Sequence, residues 1–253
     1  MKIEVPTLPP RHLKLNPSFS RLEQFTDCER RYLFDLLYPE PTSPAQAHGH
    51  RVHAQLERLV AGKPLPEGED VLPQSLAGMQ AWDELEAQAA ATEVWVDRVR
   101  GLPFSGKIDV VAEDHAGDGF VVDWKTTKNM MNAKSQYEAR RSLQLQIYCL
   151  ALGVTRAVFV YLPHAGGYHL RDVDFSQEEL EISYRRLKYL VGAVRSRWAQ
   201  AGAEDDPAGG IVQPEELSIE PFSVAKADYT FCKPRWCSHW ARCLGKEPEN
   251  GQD

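Results

Sequence analysis

Asp109 and Asp123 stand inside runs of β-branched residues, where apolar side chains would be easier to bury. The first run is Lys107-Ile108-Asp109-Val110-Val111-Ala112, and the second is Phe120-Val121-Val122-Asp123-Trp124-Lys125. Between them, His115-Ala116-Gly117-Asp118-Gly119 is rich in residues that tolerate tight backbone angles. The stretch from Gly106 to Lys128 therefore reads as a β-hairpin. An unpartnered carboxylate is costly to bury. A divalent cation is a suitable partner, since hard oxygen ligands suit Mg²⁺ or Mn²⁺. Lys125 follows Asp123 by two residues, and strand alternation puts both on one face. Two carboxylates, a cation and an ammonium make a site suited to phosphodiester hydrolysis. The cation activates a water and meets the developing charge, and the lysine holds the water or the leaving oxygen. A solvent-facing hairpin with its polar residues turned outward is the competing reading.

Beyond the hairpin, the chain resembles a known family. Asp109 followed by Asp123-Trp124-Lys125 resembles the D…(D/E)-x-K core of the PD-(D/E)XK nuclease superfamily. Gln144-Leu145-Gln146-Ile147-Tyr148 is similar to the Q-x-x-x-Y motif of its RecB-like branch. His53, in Gly49-His50-Arg51-Val52-His53, is similar to the histidine that branch carries on an early helix. Cys28, Cys232, Cys237 and Cys243 resemble the iron–sulfur cysteines of the CRISPR-associated family-four and AddB-type exonucleases. The resemblance spans about Ser18 to Cys243.

The resemblance implies an α/β fold, with a mixed central sheet flanked by helices and a helical cap closed by four cysteines. It implies a metal-dependent DNA exonuclease acting on single-stranded ends, in DNA repair or recombination, phage DNA processing or CRISPR adaptation. His53, Asp109, Asp123 and the Trp124 carbonyl would hold the cation, Lys125 would position the water, and Gln144 and Tyr148 would support the site. Helicase or CRISPR integration proteins are the implied partners besides DNA. A nuclease-fold DNA-binding or adaptor subunit is the alternative. Arg30, Arg31, Lys128, Arg140 and Arg141 are candidates for phosphate contacts.

The elements that must position these residues can be read in order. Residues 1–17 are a Pro-rich, extended leader to a single nuclease domain over 18–243, with a tail at 244–253. Ser20-x-x-Glu23 is a capping-box signature, and Leu22, Phe25, Tyr32, Leu33 and Leu36 give a helical stripe on a helix that also carries Cys28. A second helix is expected over Ala45–Ala61, with His53 and Glu57 on one face. Pro73–Ala91 reads as helix, and Glu93–Arg100 alternates as a half-buried strand with Glu93 outward, a further acidic group near the site being the other reading of Glu93. Gly101–Lys107 matches G-x-x-x-x-G-K, but Ile108 replaces the Ser/Thr and a strand follows. It reads as a turn between strands, and no nucleoside triphosphate is expected. Ser135–Leu152 reads as one long helix, and Gln144 and Tyr148 share its face. Ala157–Tyr161 and Tyr168–Val173 read as paired strands, and Phe175–Ala201 as an amphipathic helix. Gly202–Pro214 is an acidic linker.

Cys232-x4-Cys237-x5-Cys243 is a spacing that suggests metal or cluster ligation. With Cys28 as fourth ligand it would clasp the first helix to the C-terminal segment. A [4Fe-4S] cluster is expected, with Zn²⁺ as the rival, and His239 could replace one thiolate. Four residues separate Cys232 and Cys237, where the resembling families have two. An odd count of five cysteines argues against a disulfide framework and fits a cytoplasmic protein. The 253 residues are 43% hydrophobic, enough for a core, with a formal net charge of −7. That acidity does not advertise a nucleic-acid binder, although the acidic residues cluster and leave room for a local basic groove. No apolar run approaches the ~18 residues of a membrane span, and the N-terminus lacks a secretory apolar region.

Overall fold

The computed structural model describes residues 2–4, 17–205, 211–212, 216–218, 221–223, 237–239 and 243. In chain order the elements are strand β1 (Lys2–Glu4) and helices α1 (Phe19–Asp27), α2 (Glu29–Leu37), α3 (Pro44–Val60) and α4 (Pro73–Glu84). Strands β2 (Gln88–Val99), β3 (Leu102–Glu113) and β4 (Gly119–Thr127) follow, then helices α5 (Gln136–Arg140) and α6 (Leu143–Leu152). Strands β5 (Arg156–Pro163) and β6 (His169–Asp174), helix α7 (Gln177–Gln200) and short strands β7 (Glu204–Asp205), β8 (Ile211–Val212) and β9 (Glu216–Ser218) complete them. Two compact units divide the chain: Thr42–Lys188, and Met1–Pro41 with Tyr189–Asp253.

The unit Thr42–Lys188 is built on a five-stranded sheet of order β2-β3-β4-β5-β6. All neighbours are antiparallel except β4 and β5, which run parallel, so the sheet is mixed as expected. Alternation assigns its faces. Val110, Val122, Trp124, Val158, Val160 and Leu162 pack with Val52 and Leu56 of α3 and Ala77, Ala81 and Trp82 of α4. Each large aliphatic side chain buried there stabilises by about 1.5–3 kcal/mol. The intervening residues, Asp123 among them, face the side where α6 lies, and Leu143–Leu150 of α6 are all buried.

Several expectations need correction. Ser18, not Ser20, caps α1, accepting from the Arg21 amide. The first helix is two helices. Cys28 is extended between them (φ −160°, ψ 110°) and caps α2 by accepting from the Arg31 amide. Strand β2 begins at Gln88, so the Ala-rich stretch read as helix pairs with β3 instead; tertiary pairing outweighs local propensity there. The turn before the first carboxylate strand is only Arg100-Gly101, with Val99 opposite Leu102. Both turn residues have positive φ (48° and 84°), the requirement of a two-residue hairpin turn matching strand twist. Pro103 is tolerated because β4 pairs with β3 only from Val110 onward, so its missing amide breaks no ladder on that side. The helix read over Ser135–Leu152 breaks at Arg141 and Ser142, where Ser142 is extended.

In the unit Met1–Pro41 with Tyr189–Asp253, α1 and α2 bury Leu22, Phe25, Tyr32, Leu33, Phe34 and Leu37. The Tyr32 ring meets Phe25 edge-on at 5.4 Å, and its hydroxyl accepts from the Trp198 indole at 3.3 Å. Strand β1 pairs with β9, and β7 with β8.

Candidate active site

The hairpin forms as expected, between β3 and β4. Val110 opposes Val122 and Glu113 opposes Gly119. One rung beyond Val110 the ladder stops, so Asp109 and Asp123 sit where β3 and β4 part. The backbone amide of Trp124 donates to Asp109 Oδ2 at 2.9 Å, so a side-chain carboxylate takes the place of a strand carbonyl. Asp109 Oδ1 lies 3.4 Å from His53 Nδ1.

Helix α3 brings His53 there. Ser43 and Gln46 close a capping box on its N-terminus, with Pro44 in the first turn. Val52 and Leu56 anchor the helix on the sheet. Gly49 lets it come close, since a Cβ at that position would stand 2.9 Å from Thr126 Oγ1 of β4. Burial opposes protonation of His53, but the hydrogen bond and charge of Asp109, with the charge of Asp123, outweigh it and raise its pKa.

Asp123 is buried (2% exposed). Its Oδ1 accepts from Gln144 Nε2 at 2.7 Å. Its Oδ2 has no aligned hydrogen bond and is met by the Lys125 ammonium at 2.7 Å. Burial pushes the Asp123 carboxyl up, Lys125 draws it down, and Asp109 adds to the rise, with an upward result. Burial disfavours the Lys125 ammonium, yet the charge of Asp123 prevails and raises its pKa, so the amine stays charged. Lys125 also sits 5.4 Å from the Phe159 ring. Tyr148, one helical turn after Gln144, donates to the Lys107 carbonyl at 3.0 Å. Burial first, and the charge of Asp123 second, push its phenol far above the ordinary value.

The structure thus brings together His53, Asp109, Asp123, Trp124, Lys125 and Gln144, with Tyr148 bracing Lys107 beside them. Among the described residues, no group of three or more His, Cys, Asp or Glu side chains is arranged to hold a metal ion. What fits a cation is narrower: a buried acidic oxygen, Asp123 Oδ2, whose neighbour of opposite charge is Lys125, and a second carboxylate on the adjoining strand.

The expected phosphate contacts are placed differently. Arg140 is held by both oxygens of Glu179, at 2.7 and 2.9 Å. Arg141 donates to the Tyr137 hydroxyl at 2.6 Å and lies over its ring. Lys128 is exposed just after β4. Arg30 and Arg31 belong to the other unit, where Arg30 donates to the carbonyls of Phe222 and Cys243 and Arg31 pairs with Asp35. Of the cysteines, Cys232 lies outside the described residues. Glu57 is half-buried on α3.

The sequence reading did not foresee the pairing of Glu93 or the role of Gly49. Glu93, read as outward, has a positive φ of 55° and ion-pairs with Lys107. Gly49 matters through its missing side chain. Only the strand register reveals the first, and the glycine four residues before His53 was the one available signal for the second.

The family model of the PD-(D/E)XK nuclease superfamily matches residues 16–100 and 69–244. The chain belongs to the PD-(D/E)XK nuclease superfamily. No curated protein matches the sequence. Among solved structures, this nuclease-family chain is similar to the crystal structure of SSO0001, with 16% identity, a TM-score of 0.49, and coverage of 90% of this chain and 86% of that one. It is similar to an alkaline exonuclease, LHK-Exo, from Laribacter hongkongensis, at 13% identity and TM-score 0.36, covering 75% and 98%. A putative exonuclease from Eubacterium rectale aligns at 10% identity and TM-score 0.44, covering 76% and 85%. Among the described residues, no helix is long and apolar enough to cross a membrane.

Proposed function

We propose that this nuclease-family protein is a Mg²⁺- or Mn²⁺-dependent deoxyribonuclease acting as an exonuclease on single-stranded DNA ends. The observation that supports it best is the meeting of Asp109, Asp123 and Lys125 where two strands part, with Gln144 fixed on Asp123. Asp109 and Asp123, with the Trp124 carbonyl and His53, would hold the cation. When bound, it would neutralise phosphate charge and activate water.

The protein's own groups do the rest. Gln144 orients Asp123 by donating to Oδ1, leaving Oδ2 turned toward Lys125. The Trp124 amide and His53 hold Asp109 from two sides. Lys125, kept charged by Asp123, is placed to donate to a phosphate oxygen or to the attacking water. The single-strand preference and a role with helicase or CRISPR integration partners rest on the motif resemblance. So does the [4Fe-4S] cluster, or Zn²⁺, on Cys28, Cys232, Cys237 and Cys243. In favour of that clasp, Arg30, two residues beyond Cys28, donates to the Cys243 carbonyl. Iron, sulfide and zinc analysis of anaerobically purified protein decides it.

The test of the nuclease reading is cleavage of end-labelled single- and double-stranded DNA with Mg²⁺ or Mn²⁺. Wild type should shorten the single strand from its ends, and Asp123→Ala and Lys125→Ala should not. Activity surviving both substitutions would sink the site. A wild type that binds DNA without cutting it would indicate an adaptor subunit.

A further inference from the structure

A chain of net charge −7 gathers Lys125, Lys134 and Arg171 beside its candidate site. Asp123 of β4 stands level with Phe159 of β5, and Phe159 with Arg171 of β6, so the three share the α6 side of the sheet. Lys125 is level with Tyr161 in the same way. The fully buried Phe159 ring carries two ammonium groups, Lys125 at 5.4 Å and Lys134 at 5.8 Å from its centroid. Lys134 lies in the loop between β4 and α5, and its backbone is held on both sides. Its amide donates to the Tyr161 hydroxyl at 3.2 Å, and its carbonyl accepts from Arg171 Nε at 3.0 Å. Burial pushes the Tyr161 phenol up, while the Lys134 amide and the charges of Lys125 and Arg171 draw it down, the mark of a hydroxyl with cations around it. Arg171 also donates to the Leu170 carbonyl at 2.9 Å, and among the described residues no carboxylate pairs with it. The Glu138 carboxylate of α5 accepts from the Ser135 amide and hydroxyl, both at 2.8 Å; those bonds, then the charge of Lys134, hold its pKa low.

We infer that Lys134 binds the phosphate next to the one that is cut, with Lys125 at the cut phosphate, so that the loop after β4 grips the substrate strand. This rests on the nuclease reading and adds to it the place where the strand is held beside the reacting bond. The two ammonium groups lean on one ring, close enough for successive phosphates of one strand to meet one each. Both reach solvent: the Lys125 side chain is 36% exposed, and Lys134 is half-buried. Asp123 pairs with Lys125, and Arg171 adds positive charge that no described carboxylate offsets. That surplus favours an anion at this spot on an otherwise acidic chain. Because the Lys134 backbone is already fixed from β5 and β6, less freedom is lost when its ammonium meets a phosphate. A phosphate contact carries no sequence information, which suits a nuclease that must advance along a strand of arbitrary sequence.

The test is equilibrium binding of a fluorescein-labelled oligothymidylate of about 20 nucleotides, longer than a usual single-strand site, in chelator and over a series of salt concentrations. Wild type is compared with Lys134→Gln, Lys134→Met and Lys134→Arg, and with Lys63→Gln, which removes an exposed lysine on the loop after α3. Circular dichroism establishes that each is folded. Each phosphate neutralised on a single strand contributes about 0.7 to the slope of log affinity against log salt. Lys134→Gln and Lys134→Met should bind more weakly, with a slope shallower by about 0.7, while Lys134→Arg and Lys63→Gln keep the wild-type slope. Methionine keeps most of the stem over Phe159 without the charge, so it separates the phosphate contact from packing of the loop. Weaker binding with an unchanged slope would mean a packing role and overturn the proposal. A neutral methylphosphonate linkage beside the cut bond should slow cleavage by wild type and add nothing to the loss in Lys134→Met. If wild type cuts DNA while Lys134→Gln and Lys134→Met keep its affinity and slope, the phosphate contact fails alone. If wild type neither binds nor cuts, the nuclease reading fails and takes the contact with it.

Discussion

Asp109 Oδ2 accepts the backbone amide of Trp124 at 2.9 Å, so one acidic side chain is tied to the strand that carries the other. Asp109 thereby has a structural duty as well as a chemical one. Asp109→Ala should leave the Trp124 amide without its acceptor, costing about 1–3 kcal/mol. Asp109→Asn, which keeps an acceptor oxygen, should cost less stability while losing as much cleavage. Chemical denaturation of both variants, beside a cleavage assay, checks the pair.

Asp123 behaves in the opposite way. Its carboxyl is buried, and its pKa is raised in the folded state. Asp123→Asn should abolish cleavage yet leave the melting temperature equal to or above that of wild type in metal-free buffer. A large loss of stability would show that the charge is a structural necessity.

Gln144 supplies the only hydrogen bond recorded to Asp123 Oδ1 among the described residues. Gln144→Ala should lower the cleavage rate about 10- to 100-fold, the usual cost of losing a group that orients a ligand. It should also weaken Mg²⁺ binding measured by calorimetry. An unaltered rate and affinity would show that Asp123 needs no orientation.

Metal-free protein should lose stability as pH rises through the His53 and Asp123 transitions. Both pKa values are raised on folding, so the folded state holds more protons than the unfolded one. The His53 contribution is fully present below its ordinary value of 6.5 and is lost as pH climbs through the folded value. The Asp123 contribution is fully present below 3.8 and is lost through its own raised value. Denaturation free energies measured across pH should fall less steeply above 6.5 in His53→Ala; the same slope as wild type would contradict it.

Gly49→Ala brings a Cβ within 2.9 Å of Thr126 Oγ1, a side-chain atom that can rotate away. The relief of a helical glycine, about 1 kcal/mol, should offset most of the clash. Gly49→Val should cost about 1–3 kcal/mol by overpacking. Adding Thr126→Ala should restore much of that loss, and a double-mutant cycle of melting curves measures it.

How much of this could be read from the residues varies with range. The Asp109/Asp123 hairpin was legible because β-branched apolar runs and a Gly/Asp turn are local signals. The mixed sheet was expected from the family resemblance, and the α3 helix bearing His53 from the sequence over Ala45–Ala61. The break at Cys28 was not legible, because a stripe from Leu22 to Leu36 continues across it and only the extended backbone of Cys28 shows the end. Nor was the strand over Gln88–Ala91, where alanines favour helix until β3 supplies a partner. The Glu93–Lys107 pair depends on strand register, which spacing alone does not fix. Arg140 looked available for phosphate because Glu179, 39 positions away, could not be placed beside it.

The parallel pairing of β4 with β5 sets the order in which the site can assemble. A two-strand hairpin brings Asp109 and Asp123 side by side through a short loop, a step open early to the folding chain. Parallel neighbours require a crossover, and here that crossover is α5 and α6, which carries Gln144 and Tyr148. The acids can therefore meet before their support exists, and closing the longer loop is the slower event. During refolding, recovery of cleavage should lag hairpin formation and coincide with docking of α6.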